Sequence, residues 1–384
     1  QEVNAFAFVK ARDGGELQVR GVFFATRPAG QPMDVCFPRP SDLVVFSPAS
    51  RNKNEPLSWH PLRPESVPEV RVGAPSELDV PLSPLMHADV TSPNGGRLQP
   101  HPKPMAEPPR HLGMSPFMGH LSQGSPRPFT LTAGPDTFDE PQVHVSINDV
   151  TLAATDGGLF SMGRLSFARP LGEPAEAGLA VEIAGDEGAP LEGTWRLGGK
   201  GSLVDAYKVG PKSGDLETLR SEALKGIESA DGRLRWVLVT HASFRHGWLP
   251  DFLDSSGEGL LPHSDVRVRL RAAAIARPFA YSGWDLTAKG HSHGRARGAA
   301  RPTRLFVPAG SVYFFEVVTG GGAAARRAAD AAWLKEDPGR LKALLEDTDN
   351  DDARRRAAAI DAACGLGRGV FGPWDWFNTA EEMV

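Results

Sequence analysis

Of the chain's 34 prolines, 22 lie between residues 28 and 135. Each one removes a backbone donor and holds φ at about −65°. Pro100, Pro102, Pro104, Pro108 and Pro109 fall within a single short stretch. A segment punctuated in this way resists helices and central strands. Residues 50–140 are therefore expected to be irregular, built of extended pieces and turns. His101, His111 and His120 read as ordinary loop histidines within it.

Outside that stretch the composition is that of a globular protein. The 384 residues set a prior of about two to three domains. A hydrophobic share of 40% and a charged share of 23% exclude wholesale disorder. Lys+Arg is 42 against Asp+Glu 47, a net charge of −5. That excludes a uniformly basic nucleic-acid coat but leaves room for a local basic stripe. Cys36 and Cys364 are too few for a disulfide framework or a cysteine-based zinc site, so the cytoplasm is the expected compartment. No run of 18 apolar residues exists to span a membrane. The chain opens Gln1-Glu2-Val3-Asn4 without an initiator Met or a signal peptide, and the expectation is that its true N-terminus lies further upstream.

Periodicity predicts strands at 17–24, 43–46, 143–147 and 179–183. Asp156-Gly157-Gly158 reads as a turn, after which Leu159-Phe160 and Leu165-Ser166-Phe167 continue a meander. Leu216, Leu219, Leu224 and Ile227 share one face of a helix. Strands are expected at 235–240, 266–271 and 312–317, then Ala-rich helices at 323–336 and 351–364. A glycine-rich turn and the aromatic segment Trp374–Phe377 end the chain. The order is α+β rather than a regular βαβα alternation. Two ferredoxin-like units over 1–210 and 211–384 fit it.

Enzyme motifs fail on context. Gly367, Gly369 and Gly372 form a G-x-G-x-x-G, but it follows a helix and is stopped by Pro373, against what a dinucleotide fingerprint needs. What remains is a glycine loop, either a tight turn or a place where backbone approaches phosphate, with Arg368 its only charge. Asp347–Asp352 resembles a calcium loop, but Asp352 stands where Gly is required and Ala358 where Glu is required. His291 and His293 have no third ligand nearby. His144, His241 and His246 are each conceivable general bases for RNA cleavage, but nothing in the sequence pairs them with a second group. No cofactor or metal is implied.

One feature survives. Between residues 267 and 304 stand Arg267, Arg269, Arg271, Arg277, Lys289, Arg295, Arg297, Arg301 and Arg304, opposed by Asp285 alone. Residues 289–304 are rich in Gly, Ala, His and Arg with no apolar period, which predicts a flexible surface arm. Arginine matches phosphate oxygens bidentately. Arg267, Arg269 and Arg271 alternate onto one sheet face, a possible single-stranded RNA platform. The alternative is a basic surface that serves solubility only.

Several segments together resemble a known family. Phe37-Pro38-Arg39-Pro40-Ser41-Asp42-Leu43-Val44 resembles FPxPxDLV of the third subunit of type III-B (Cmr) CRISPR–Cas effector complexes, within the RAMP superfamily. His144-Val145-Ser146-Ile147 with Ala154–Phe160 is similar to its HVxID…LF hairpin. Leu197-Gly198-Gly199-Lys200 is similar to LGGE, with Lys200 departing. Thr240–Phe244 with Gly247-Trp248-Leu249-Pro250 resembles TPAxF…GWxP, with His241 in place of Pro. Gly283-Trp284-Asp285 and Phe306–Phe315 are close to GWD…VPAGSVYFF.

The resemblance implies two ferredoxin-like (RRM-like) RAMP domains carrying long Pro-rich and Ala-rich helical insertions. The first domain would lack its initial elements. It also implies a non-catalytic subunit that binds the 5′ tag of the crRNA. Such a subunit contacts the large polymerase-like subunit and the backbone subunits, and meets target RNA indirectly. The RNA-binding residues expected on this reading are Arg267, Arg269, Arg271, Lys289, Arg295, Arg297, Arg301 and Arg304 of the basic region. Gly365, Gly367, Arg368 and Gly369 join them from the glycine loop. The rivals are a metal-independent RAMP endoribonuclease that processes precursor crRNA through His241 or His144, and a protein-only scaffold.

Overall fold

The computed structural model describes residues 18–28, 33–46, 57–66, 68–73, 79–83, 86–88, 104–106, 108–131, 137–148, 150–167, 175–184, 192–197, 202–207, 216–281, 284–285, 299–300, 303–335 and 365–377. The N-terminal part runs β1 (Gln18–Pro28), β2 (Asp34–Pro38), β3 (Leu43–Phe46), β4 (Leu57–Pro64), β5 (Val70–Gly73), β6 (Asp79–Leu82), β7 (Met86–Ala88), β8 (His111–Gly113), α1 (Met114–Leu121) and β9 (Phe129–Leu131). Next come β10 (Thr137–Ile147), β11 (Ala154–Phe167), β12 (Ala175–Ala184), β13 (Gly193–Leu197) and β14 (Ser202–Ala206). The rest is α2 (Leu216–Ser229), β15 (Arg233–Leu238), β16 (Glu258–Leu260), β17 (Arg267–Ala274), β18 (Phe279–Tyr281), β19 (Trp284–Asp285), β20 (Ala299–Ala300), β21 (Arg304–Phe306), β22 (Val312–Val317), α3 (Gly321–Ala332) and β23 (Gly369–Pro373). The class is α+β, mostly small antiparallel sheets.

The largest sheet has the order β16-β17-β22-β15-β23 and is antiparallel throughout. β22 sits at its centre because Val312, Tyr313, Phe314 and Phe315 are all apolar enough to be buried on both faces. Leu219, Ala223, Leu224 and Ile227 form the buried stripe of α2. Ala324, Ala325, Ala328 and Ala329 form that of α3, where small side chains let the helix pack closely. A second sheet, β12-β1-β2-β8, supplies Phe37, whose ring stacks on Phe117 of α1 with centroids 4.2 Å apart. One apolar cluster joins Phe37, Phe117 and Leu121 to Trp236, Phe315 and Phe371 of the large sheet.

The Pro-rich stretch is more regular than its composition implies. β4 contains Pro61 yet is largely buried, with β3 on one flank and β9 and β7 on the other. Pro61 falls between the part that pairs with β9 (Leu57–Trp59) and the part that pairs with β7 (Leu62–Pro64), so that flank has no ladder bond to lose there. Pro116 sits in the first turn of α1, where an N–H would lack an intrahelical partner anyway. The prolines are accommodated within elements here rather than preventing them.

Asp156-Gly157-Gly158 is not a turn but part of β11. The hairpin turns earlier, where the Asn148 Oδ1 accepts the N–H groups of Val150 at 2.9 Å and Thr151 at 3.1 Å. The expected helix at 351–364, the Asp347–Asp352 run, Cys364 and the His291-Ser292-His293 cluster lie outside the described residues. No described helix is long and apolar enough to cross a membrane.

Candidate nucleic-acid interface

The strand arginines are where alternation puts them, but they do not present an open cationic field. Arg267 and Arg269 both reach Glu258 on the neighbouring strand, at 3.7 Å and 2.6 Å. Arg271 pairs with Glu69 and lies 3.2 Å from Glu316, and its guanidinium stands over the Trp376 ring at 5.5 Å. Asp285 alone opposed these cations in sequence. Three glutamates oppose them in space, Glu258 from the adjoining hairpin strand and Glu69 and Glu316 from distant segments, and that corrects the expectation of an uncompensated basic platform. Strand pairing brought Glu258 and Glu316 there, and Glu69 comes from the loop just before β5.

Lys289, Arg295, Arg297 and Arg301 lie outside the described residues. Their arm is described at its root. β18 and β21 pair with the register Phe279↔Phe306 and Tyr281↔Arg304, and β19 pairs with β20 beyond them. Paired residues, and residues two apart, share a face. Phe279, Tyr281, Arg304 and Phe306 therefore lie on one side of this ribbon. Arg304 places its guanidinium 4.7 Å from the centroid of Phe306. Phe306 is buried together with Leu366, and Tyr281 packs against both. The root of the arm thus rests on the glycine loop.

The loop itself is a tight turn that leads into β23. Gly365 (φ 72) and Gly367 (φ 75) occupy the left-handed region that glycine tolerates. The N–H of Gly367 donates to the His241 carbonyl at 2.8 Å, and that of Arg368 to the Thr240 hydroxyl at 2.9 Å. Gly369 starts a buried strand, because a Cβ there would enter the Trp236 indole. The Arg368 side chain is buried and donates toward the Leu334 carbonyl at 3.4 Å. These donors are committed within the protein, so in this conformation the turn acts as a seat for its neighbours rather than a phosphate cradle.

His241 closes the same corner. Its Nδ1 accepts the Ala309 N–H at 3.0 Å, so a neutral ring carries its proton on Nε2. Burial lowers its pKa, which keeps it neutral near pH 7. The ring stacks on Phe279 with centroids 4.8 Å apart and planes 11° from parallel. His144 lies on β10, away from this corner in sequence and element.

The two most family-like motifs meet beside it. Ser41 donates its N–H to the Gly310 carbonyl at 2.7 Å, and Gly310 donates to Leu238 at 2.6 Å. Gly310 has φ 91, and a Cβ there would run into the Arg39 carbonyl. Beneath this contact lies a group that sequence reasoning missed. Asp42, His120 and Arg235 are fully buried. The Asp42 carboxylate accepts from Arg235 Nη1 at 2.8 Å and from His120 Nε2 at 2.9 Å. Arg235 also donates to the His120 carbonyl.

Burial alone would raise the Asp42 pKa, but the Arg235 charge and the hydrogen bonds from His120 and Arg235 outweigh it and hold the carboxyl low. Burial pushes His120 down despite Asp42, so it is neutral. His120 is thus a helix residue in the core, not a loop histidine. No local pattern could have shown this, since its partners lie 78 and 115 positions away. Trp374 is likewise core, its indole donating to the Phe315 carbonyl at 2.9 Å.

The family model described as "CRISPR-associated protein (Cas_Cmr3)" matches residues 2–349. The chain belongs to the Cas_Cmr3 family. The Cas_Cmr3 match takes in the basic arm and ends before the glycine turn. One similar solved chain comes from a structure titled "Cryo-EM structure of the Type III-B Cmr-beta bound to cognate target RNA". It shares 14% identity, with a TM-score of 0.27 and coverage of 59% of this chain. This Cas_Cmr3 chain spans about half, 53%, of that one. No curated protein matches.

Proposed function

We propose that this chain is a subunit of a Cmr complex and holds the 5′ tag of a crRNA without making or breaking a covalent bond. Lys289, Arg295, Arg297 and Arg301 of the arm, with Arg304 at its root, neutralise tag phosphates. The turn at Gly365, Gly367, Arg368 and Gly369 seats the arm. Arg267, Arg269 and Arg271 contribute only so far as phosphates displace Glu258, Glu69 and Glu316. The observation that carries this reading is the packing of Phe306 and Tyr281 on Leu366, which anchors an arginine-rich arm at one corner of the large sheet.

The subunit bridges the large polymerase-like subunit to the backbone subunits in the cytoplasm and meets target RNA through the guide. Its two units, 1–210 and 211–384, are ferredoxin-like. In support, β23-β15-β22-β17 has the order fourth-first-third-second of such a sheet, with α3 between the third and fourth strands.

Salt titration of crRNA binding tests the proposal. Arg295→Ala and Arg304→Ala should each weaken binding and reduce the salt slope by roughly one unit. Arg269→Ala should change the slope less, because Glu258 already neutralises that arginine. Unchanged affinity and assembly for both arm variants at every salt concentration would remove the arm from the interface.

A further inference from the structure

The arm explains phosphate attraction but not how a flexible strand is held in one place. An aromatic side chain at its root offers a fixed point. Phe279 is 46% exposed, although its cross-strand partner Phe306 is buried. One face of its ring is covered by His241, so the exposed area belongs to the opposite face and the edge. Isolated exposed apolar residues are ordinary. This one differs in being held twice, with one of its holders itself fixed. Its backbone is paired to β21, its ring is stacked on a neutral imidazole, and that imidazole is itself fixed by the Ala309 N–H at 3.0 Å.

Two arginines lie close to it along the ribbon. Arg277, two residues earlier, is exposed, and Arg304 lies on the same ribbon face. A flat, rigid, uncharged ring flanked by cations suits a nucleobase whose own phosphates sit on those cations. An apolar protein contact would be a poorer match for this rim.

We propose that Phe279 is a stacking platform for one unpaired RNA base, with His241 as its positioning residue. The assignment rests on the proposed RNA-binding function and adds a site to it. Because the neutral His241 ring supplies no charge, the platform fixes position without reading base identity or adding a phosphate contact.

The test uses the full chain, alone and assembled with its Cmr partners, and a short single-stranded RNA carrying 2-aminopurine at successive positions. Phe279→Ala should weaken binding about tenfold with the salt slope unchanged. It should also abolish the 2-aminopurine quenching seen at one position with the unsubstituted protein. Phe279→Trp should retain both affinity and quenching.

If Phe279→Ala binds like the unsubstituted chain while Arg304→Ala is weakened, the platform is wrong and the arm stands. If the unsubstituted chain fails to bind RNA in either setting, the parent reading falls and takes the platform with it. If Phe279→Ala impairs assembly with the protein subunits and leaves RNA affinity intact, the ring is a protein contact and the assignment is overturned.

Discussion

Removing the Asp42 carboxylate should be among the most damaging single changes in the protein. Asp42 is wholly buried and is the counter-ion of Arg235, which donates to it at 2.8 Å and is itself buried. Asp42→Ala would leave a desolvated guanidinium without an opposing charge and His120 without its acceptor. Breaking a buried pair from one side costs about 3–5 kcal/mol. Against a typical total of about 5–15 kcal/mol, that is at least about a fifth of the stability. At about 2–4 °C per kcal/mol for a domain of this size, the melting temperature should fall by about 10 °C.

The loss should concentrate at the seam between the N-terminal sheets and the large sheet, because Asp42 follows β2, His120 sits on α1 and Arg235 on β15. Calorimetry and urea titration measure the total, and limited proteolysis locates the loosened seam. The double variant Asp42→Ala/Arg235→Met removes the orphaned cation and should recover at least about 2 kcal/mol of the loss. An Asp42→Ala protein within about 1 kcal/mol of the unsubstituted chain would refute the reasoning, since it would mean that water or a rearrangement already solvates Arg235.

Two other perturbations follow from the same corner. His120 and His241 both titrate below the ordinary 6.5 when folded and regain that value on unfolding. Between the two values the unfolded chain binds more protons. Their contribution is therefore present above pH 6.5 and is lost as the pH falls toward the folded values. The urea midpoint should drop between about pH 7.5 and pH 5.5, and less so in a His120→Gln/His241→Gln variant; equal slopes would remove these two histidines as the cause. Gly310→Ala, at φ 91 and against the Arg39 carbonyl, should cost more than about 1 kcal/mol in thermal unfolding. A neutral result would mean that the Arg39–Gly310 contact relaxes freely.

Local pattern was enough for the elements whose burial is written into their own residues. The apolar alternation of β1, the stripe Leu219–Ile227 of α2 and the continuous apolar run of β22 each need one kind of neighbour only, an apolar core. The family likeness was legible for a related reason. Phe37–Val44 and Phe306–Phe315 are segments in which close backbone approach at Gly310 and dense packing leave few permissible residues.

What escaped the linear reading depends on partners far away in the chain. Whether Arg267, Arg269 and Arg271 act as free cations was decided by Glu258 and Glu316 on the neighbouring strands and by Glu69 from the segment before β5. Whether His120 is a loop histidine or a core ligand to Asp42 was decided by a helix that forms despite Pro116. A side chain's identity and its spacing carry its intrinsic charge and shape. Its effective charge and its donor's partner depend on the dielectric and the neighbours around it, and those exist only once strands and helices have packed.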